Sequence, residues 1–84
     1  GINLTTEYIE NHSNWRSQAV TSLDRNLAED LHYSAAITLS KKALGDVRKH
    51  LVDQLKVAIE IVTKNTDPDD ECYALNLDLF NLKR

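Results

Sequence analysis

Two segments with alternating apolar and polar side chains flank one long segment of helical periodicity, and this order constrains the fold more than any other feature. Residues 32–39 alternate in this way, and the same pattern returns at 72–82. A period of two is typical of half-buried strands. Between them, residues 41–64 place apolar side chains three and four positions apart, and Ser40 can cap a helix. We therefore predict a strand, a helix and a second strand.

A further amphipathic helix is predicted at residues 6–29, where apolar side chains again line one face. The predicted fold class is α+β, one domain over residues 1–84 with the order helix, strand, helix, strand. The two strands and the helix between them form a right-handed βαβ crossover if they share a sheet. Two strands alone make a marginal sheet. We expect a second subunit to complete it in a homodimer, with strands from an upstream region as the alternative.

Charge and composition exclude several classes of protein. A net charge of −3, from 13 acidic and 10 basic residues, argues against direct contact with nucleic acid, which requires a surplus of Lys and Arg. The single cysteine, Cys72, allows no internal disulfide, so a cytoplasmic location is predicted. No apolar run approaches the roughly 20 residues of a membrane span. The start at Gly1 rather than Met indicates a piece of a longer protein.

The residues that could carry chemistry are scattered. His12, His32, His50 and Cys72 lack the paired spacing of metal ligands. The acidic turn at 67–71 has calcium-like spacing, but Cys72 stands where the calcium-binding loop requires Gly. No nucleophile has a recognisable base beside it in sequence, and no glycine-rich phosphate loop is present. We predict no catalytic residue, no metal and no cofactor, and therefore no enzyme.

An interaction surface is predicted instead. Its candidate members share the more polar face of the two predicted strands, and this face could serve as a subunit interface or bind a ligand of unknown identity. They are Ser34, Ala36, Thr38, Asn76, Asp78 and Phe80. On the first helix, Tyr8 and Trp15 are either core residues or aromatic interface anchors.

Three stretches together resemble a bacterial domain of unknown function. They are the spacing of His12, Trp15 and Ala19, the strand end at 37–40, and the terminal segment 73–82. The family is found at the C-terminus of a paralogous set of predicted transcriptional regulators, expanded in predatory and fibre-degrading bacteria. The resemblance spans nearly the whole chain, and the terminal segment is its most specific part.

This chain departs from the family pattern at two places. Asn81 replaces a usual Pro, and Glu29-Asp30 precede the first predicted strand where an Arg is expected. The resemblance implies a dimerisation and regulatory domain of a cytoplasmic transcription regulator, with a DNA-binding helix-turn-helix part upstream. The alternative function is a small-molecule or peptide sensor that uses the semi-polar sheet face.

Overall fold

The computed structural model describes the backbone from residue 8 to residue 84 and the side chains from His12 onward. It contains two helices, α1 (Tyr8–Arg25) and α2 (Lys41–Thr63). The described chain divides into two compact units. One is Ala36–Asp70, which contains α2, and the other contains α1 with the residues up to Ala35 and the terminal segment Glu71–Arg84. The prediction of a single domain stays a prediction.

The C-terminus of α1 is set by a backbone conformation rather than by loss of the apolar pattern. Asn26 has φ of 51°, and its N–H donates to the carbonyl of Ser22 at 3.1 Å. Asn tolerates this left-handed region better than most residues and commonly ends helices there. A turn follows, closed by the Asp30 N–H on the Leu27 carbonyl at 3.1 Å. The predicted end at residue 29 is therefore too late, and the predicted start at residue 6 lies outside the described residues.

The predicted bounds of α2 are confirmed to within one residue. The Ser40 side chain accepts the Ala43 N–H at 3.1 Å and caps the N-terminus. The Lys64 N–H donates to the Glu60 carbonyl at 2.9 Å at the other end. Three ion pairs four residues apart lie along the polar face of this helix and its C-cap, with N–O distances of 2.8 to 3.8 Å: Lys42–Asp46, Lys49–Asp53 and Glu60–Lys64.

The prediction of an α+β fold is wrong. Residues 8–84 include two helices and no strand, so the described chain is all-α and lacks both the βαβ crossover and the small sheet. The segments 32–39 and 72–82 are irregular. Alternation predicts which side chains share a face, but a strand also needs a neighbour for its backbone hydrogen bonds. Neither segment has such a neighbour here, and Tyr33 in the first of them is 89% exposed.

No hydrophobic side chain from His12 to Arg84 is buried. The only buried residue in that range is Ser22, at 9% exposure. The apolar face of α2 comes closest to a core, because its central members are half-buried: Leu44, Val47, Leu51, Leu55, Ala58 and Ile59. Other large apolar residues of the same helix, Val52, Val57, Ile61 and Val62, are exposed.

Candidate interaction surfaces

A two-pronged ion pair joins the terminal segment to α1. The Arg16 guanidinium donates from Nε to Oδ2 of Asp78 and from Nη2 to Oδ1, both at 2.5 Å. This is the fork geometry that makes Arg–carboxylate pairs specific. The side chains stay 33% and 44% exposed, so solvent screens the pair. The hydrogen bond from Arg16 holds the pKa of Asp78 below its usual value, against an opposing effect of desolvation.

His12 orients the same guanidinium from one helical turn earlier. Nη1 of Arg16 lies 2.8 Å from Nδ1 of His12 and donates to the His12 carbonyl at 3.0 Å. Residues four apart on a helix lie on the same face, so this contact follows from the position of both on α1. His12 thus acts as a support for Arg16 in this structure.

A second contact holds the terminal segment two residues earlier. The side-chain amide of Asn76 donates to the backbone carbonyl of Trp15 at 3.3 Å, and Asn76 is half-buried. Asn76 and Asp78, two residues apart, therefore both reach α1. We call residues 72–82 the terminal arm, and these two side chains are its polar clips.

Ser22 sits between an acid and a histidine at the end of α1. Its hydroxyl donates to a carboxylate oxygen of Asp30 and lies 2.9 Å from Nε2 of His32. The turn after Asn26 brings both partners back against the helix.

The contacts of Ser22 resemble parts of a nucleophilic triad but differ in connectivity. In a triad the acid orients the histidine through its second nitrogen, whereas here the acid accepts the serine proton. A hydroxyl that donates its proton to Asp30 can only accept from His32, which requires the imidazole proton on Nε2. Within the described residues, Nδ1 of His32 has no carboxylate partner. These contacts tie the turn after α1 to the end of the helix, in a connectivity that differs from that of a nucleophilic triad.

Acidic residues gather near Tyr73 at the start of the terminal arm. Desolvation raises the pKa of the Tyr73 phenol, with further contributions from the charges of Glu71, Asp30 and Glu29. The ring itself is exposed. Negative charge around a phenol disfavours phenolate, so Tyr73 remains neutral at physiological pH.

The apolar face of α2 is not fully buried within its unit. We call its residues Leu44, Val47, Leu51, Leu55, Ala58 and Val62 the α2 stripe. Beside its C-terminal half lies an open groove of about 450 Å³. The groove is lined by Val52, Leu55, Lys56, Ile59 and Glu60. Exposed apolar surface of this kind, rimmed by charged side chains, is typical of protein interaction sites.

Of the predicted surface residues, the structure brings only Asn76 and Asp78 onto a common contact, and that contact is with α1. Ser34, Ala36 and Thr38 are exposed in an irregular segment. Phe80 is also exposed. The sheet face to which all six were assigned does not form within residues 8–84. Their role as an interface or ligand site in another arrangement stays a prediction.

The two candidate anchors on α1 have different outcomes. Trp15 is 41% exposed, and its backbone carbonyl receives the clip from Asn76. The side chain of Tyr8 lies outside the described residues. Sequence reasoning did not single out Arg16. The available signal was its position four residues after His12, which places both polar groups on one helix face.

Two further observations on the described residues concern metal binding and membrane insertion. No group of three or more His, Cys, Asp or Glu side chains in this part of the chain could hold a metal ion. Neither helix of the described chain is long and apolar enough to cross a membrane.

Comparisons with protein-family models, with curated proteins and with solved structures found no match to this chain.

Proposed function

We propose that this chain is a non-catalytic dimerisation and regulatory module, and that its α2 stripe forms the contact between two copies. The transcription-regulator context, with DNA bound by an upstream part in the cytoplasm, is supported by the resemblance of the terminal segment 73–82 to a bacterial regulator domain. The net charge of −3 agrees with DNA contact lying outside these residues.

One observation carries the proposal: no hydrophobic side chain from His12 to Arg84 is buried. Full burial of a Leu or Val side chain contributes about 1.5–3 kcal/mol. The burial of apolar surface is the main source of free energy that offsets the loss of conformational entropy in folding. A chain whose apolar side chains stay partly in contact with water gains further free energy of this kind when a partner covers them.

The α2 stripe is the part of that surface best suited to a partner helix. Its residues recur three and four positions apart along a helix of 23 residues, which is about 34 Å long at about 1.5 Å per residue. Helices pack through such stripes at an interaxial distance of about 8–10 Å. The stripe residues are half-buried, apart from exposed Val62, so each of them still has surface to gain from contact with a second copy.

Sedimentation analysis of Leu55→Glu, with Val57→Glu as the matched control, tests the role of the stripe. Both variants put a carboxylate on α2, but Leu55 lies on the stripe and exposed Val57 lies on the opposite flank. We expect the unmodified chain to dimerise, Leu55→Glu to be monomeric, and Val57→Glu to dimerise normally. A helical monomer at high micromolar concentration in the unmodified chain would contradict the proposal.

The regulatory part has a separate test in the longer protein. Deleting these residues is expected to weaken binding of a two-half-site operator, because two DNA-binding units that are no longer joined lose their shared affinity. The isolated fragment is expected to leave the same DNA unshifted in a gel. Unchanged operator affinity after the deletion would contradict the regulatory role.

A further inference from the structure

We infer that the second copy packs antiparallel on α2, so that the basic N-terminal end of one helix lies beside the C-terminal end and the acidic turn of the other. This inference rests on the proposed function and adds the direction of the contact. The observation behind it is the uneven distribution of charge along the unit Ala36–Asp70.

The apolar residues alone fit either direction. The α2 stripe runs from Leu44 to Val62 and is centred close to Asp53. An antiparallel pair centred there places Leu51 opposite the second copy's Leu55, whereas a parallel pair places each residue opposite its own equivalent. Both arrangements cover the same apolar surface, so the direction depends on the charged residues.

The charges favour the antiparallel arrangement. Residues 41–50 hold four cations and one acid, a net charge of +3 with His50 neutral. Residues 51–64 hold two cations and two acids and are neutral, whereas the turn at 65–70 holds three acids and no cation, a net charge of −3. An antiparallel pair brings the acidic turn of each copy next to the basic N-terminal end of the other copy's helix. A parallel pair sets like against like at both ends, which raises the electrostatic energy of the complex.

The helix dipoles also favour the antiparallel arrangement. The N-terminus of a helix carries a partial positive charge and the C-terminus a partial negative charge. α2 has no acidic residue in its first turn, where Lys41 and Lys42 add to the dipole, and no basic residue in its last turn, after which Lys64 follows as the C-cap. Antiparallel packing brings these unlike ends together at both ends of the dimer.

Disulfide cross-linking between single cysteines distinguishes antiparallel from parallel packing. In a Cys72→Ser background, an equimolar mixture of Leu44→Cys and Val62→Cys chains is expected to give disulfide dimers on mild oxidation. Each variant alone is expected to give few, because like residues lie at opposite ends of an antiparallel pair. Disulfide dimers from Leu44→Cys alone, with none specific to the mixture, would overturn the inference.

The salt dependence of the dimer is an independent test of whether the helices pack antiparallel or parallel. Attraction between unlike segments means that added salt weakens an antiparallel dimer, whereas screening of like charges strengthens a parallel one. Lys41→Glu/Lys42→Glu is expected to weaken dimerisation about tenfold at low salt, since several exposed charge pairs change sign. Acidic residues suit the first turn of a helix, so α2 itself is retained.

A matched double reversal, Lys83→Glu/Arg84→Glu, lies in the other unit and is expected to leave the dimer unchanged. Restoring affinity by adding Asp69→Lys/Asp70→Lys to the Lys41→Glu/Lys42→Glu chain would support the inference. A dimer that salt strengthens, and that Lys41→Glu/Lys42→Glu also strengthens, would overturn the antiparallel direction while leaving the dimerisation proposal intact. Absence of any dimer would overturn both.

Discussion

Replacement of Asp78 by Asn is expected to release the terminal arm from α1, because Asp78 accepts both prongs of the Arg16 guanidinium. The amide of Asn keeps the size of the side chain but removes the charge and one of the two acceptors. The perturbation thus isolates one clip and leaves the other, from Asn76 to the Trp15 carbonyl, in place.

The expected magnitude follows from the geometry and exposure of the pair. Exposed ion pairs couple by about 0.2–1 kcal/mol. The two-pronged contact at 2.5 Å favours the upper end of this range, and side-chain exposures of 33% and 44% prevent a larger value. We expect a coupling free energy of about 1 kcal/mol between Arg16 and Asp78, which is close to a fivefold change in the docked fraction.

A double-mutant cycle with Arg16→Gln and Asp78→Asn measures this coupling. The readout is denaturant unfolding followed by the fluorescence of Trp15, the only tryptophan, which adjoins Arg16 on α1. Asp24→Asn, at an exposed acid of the same helix, serves as the control and should not couple to Arg16→Gln. A coupling energy for Asp78 no larger than that for Asp24 would refute the reasoning.

Three further predictions concern the same elements. The pKa of Asp78 is lowered in the folded chain, so its ion pair contributes fully to stability above the unfolded pKa near 4. This contribution is lost as the pH falls through the folded pKa. The difference in stability between Asp78→Asn and the unmodified chain should therefore vanish in acid. Ser40→Ala should destabilise α2 by about 1 kcal/mol, measured as lost helicity by circular dichroism, because it removes the cap on the Ala43 N–H. Gly45→Ala should stabilise α2 by about 1 kcal/mol, seen as a gain of helicity in the same assay, since nothing lies within 4 Å of the added methyl group.

The parts of the fold that local sequence determines could be predicted. Both ends of α2 follow from neighbouring residues, with Ser40 as the cap and Pro68 shortly beyond the C-terminus. The end of α1 could not be predicted in this way. Leu27 continues the apolar pattern, and only the left-handed conformation of Asn26 shows that the helix has already ended.

The strands and the candidate site depended on partners distant in the chain. Alternation at 72–82 correctly groups Asn76 with Asp78, since both reach α1, but the pattern does not reveal that they bind Trp15 and Arg16 instead of facing a sheet. These contacts span more than 60 residues of sequence. Local periodicity holds no information about which distant residue supplies the other half of a contact.

The two polar clips hold side chains of the terminal arm and not its backbone amides, and this has a measurable result. Within the described chain, no backbone hydrogen bond joins residues 72–80 to any other segment. Their amides should therefore exchange with solvent at close to the rates of an unstructured chain, while those in the middle of α2 are protected. Strong protection across the arm in a dilute, monomeric sample would contradict this prediction, because it would require the arm to be held by more than its two clips.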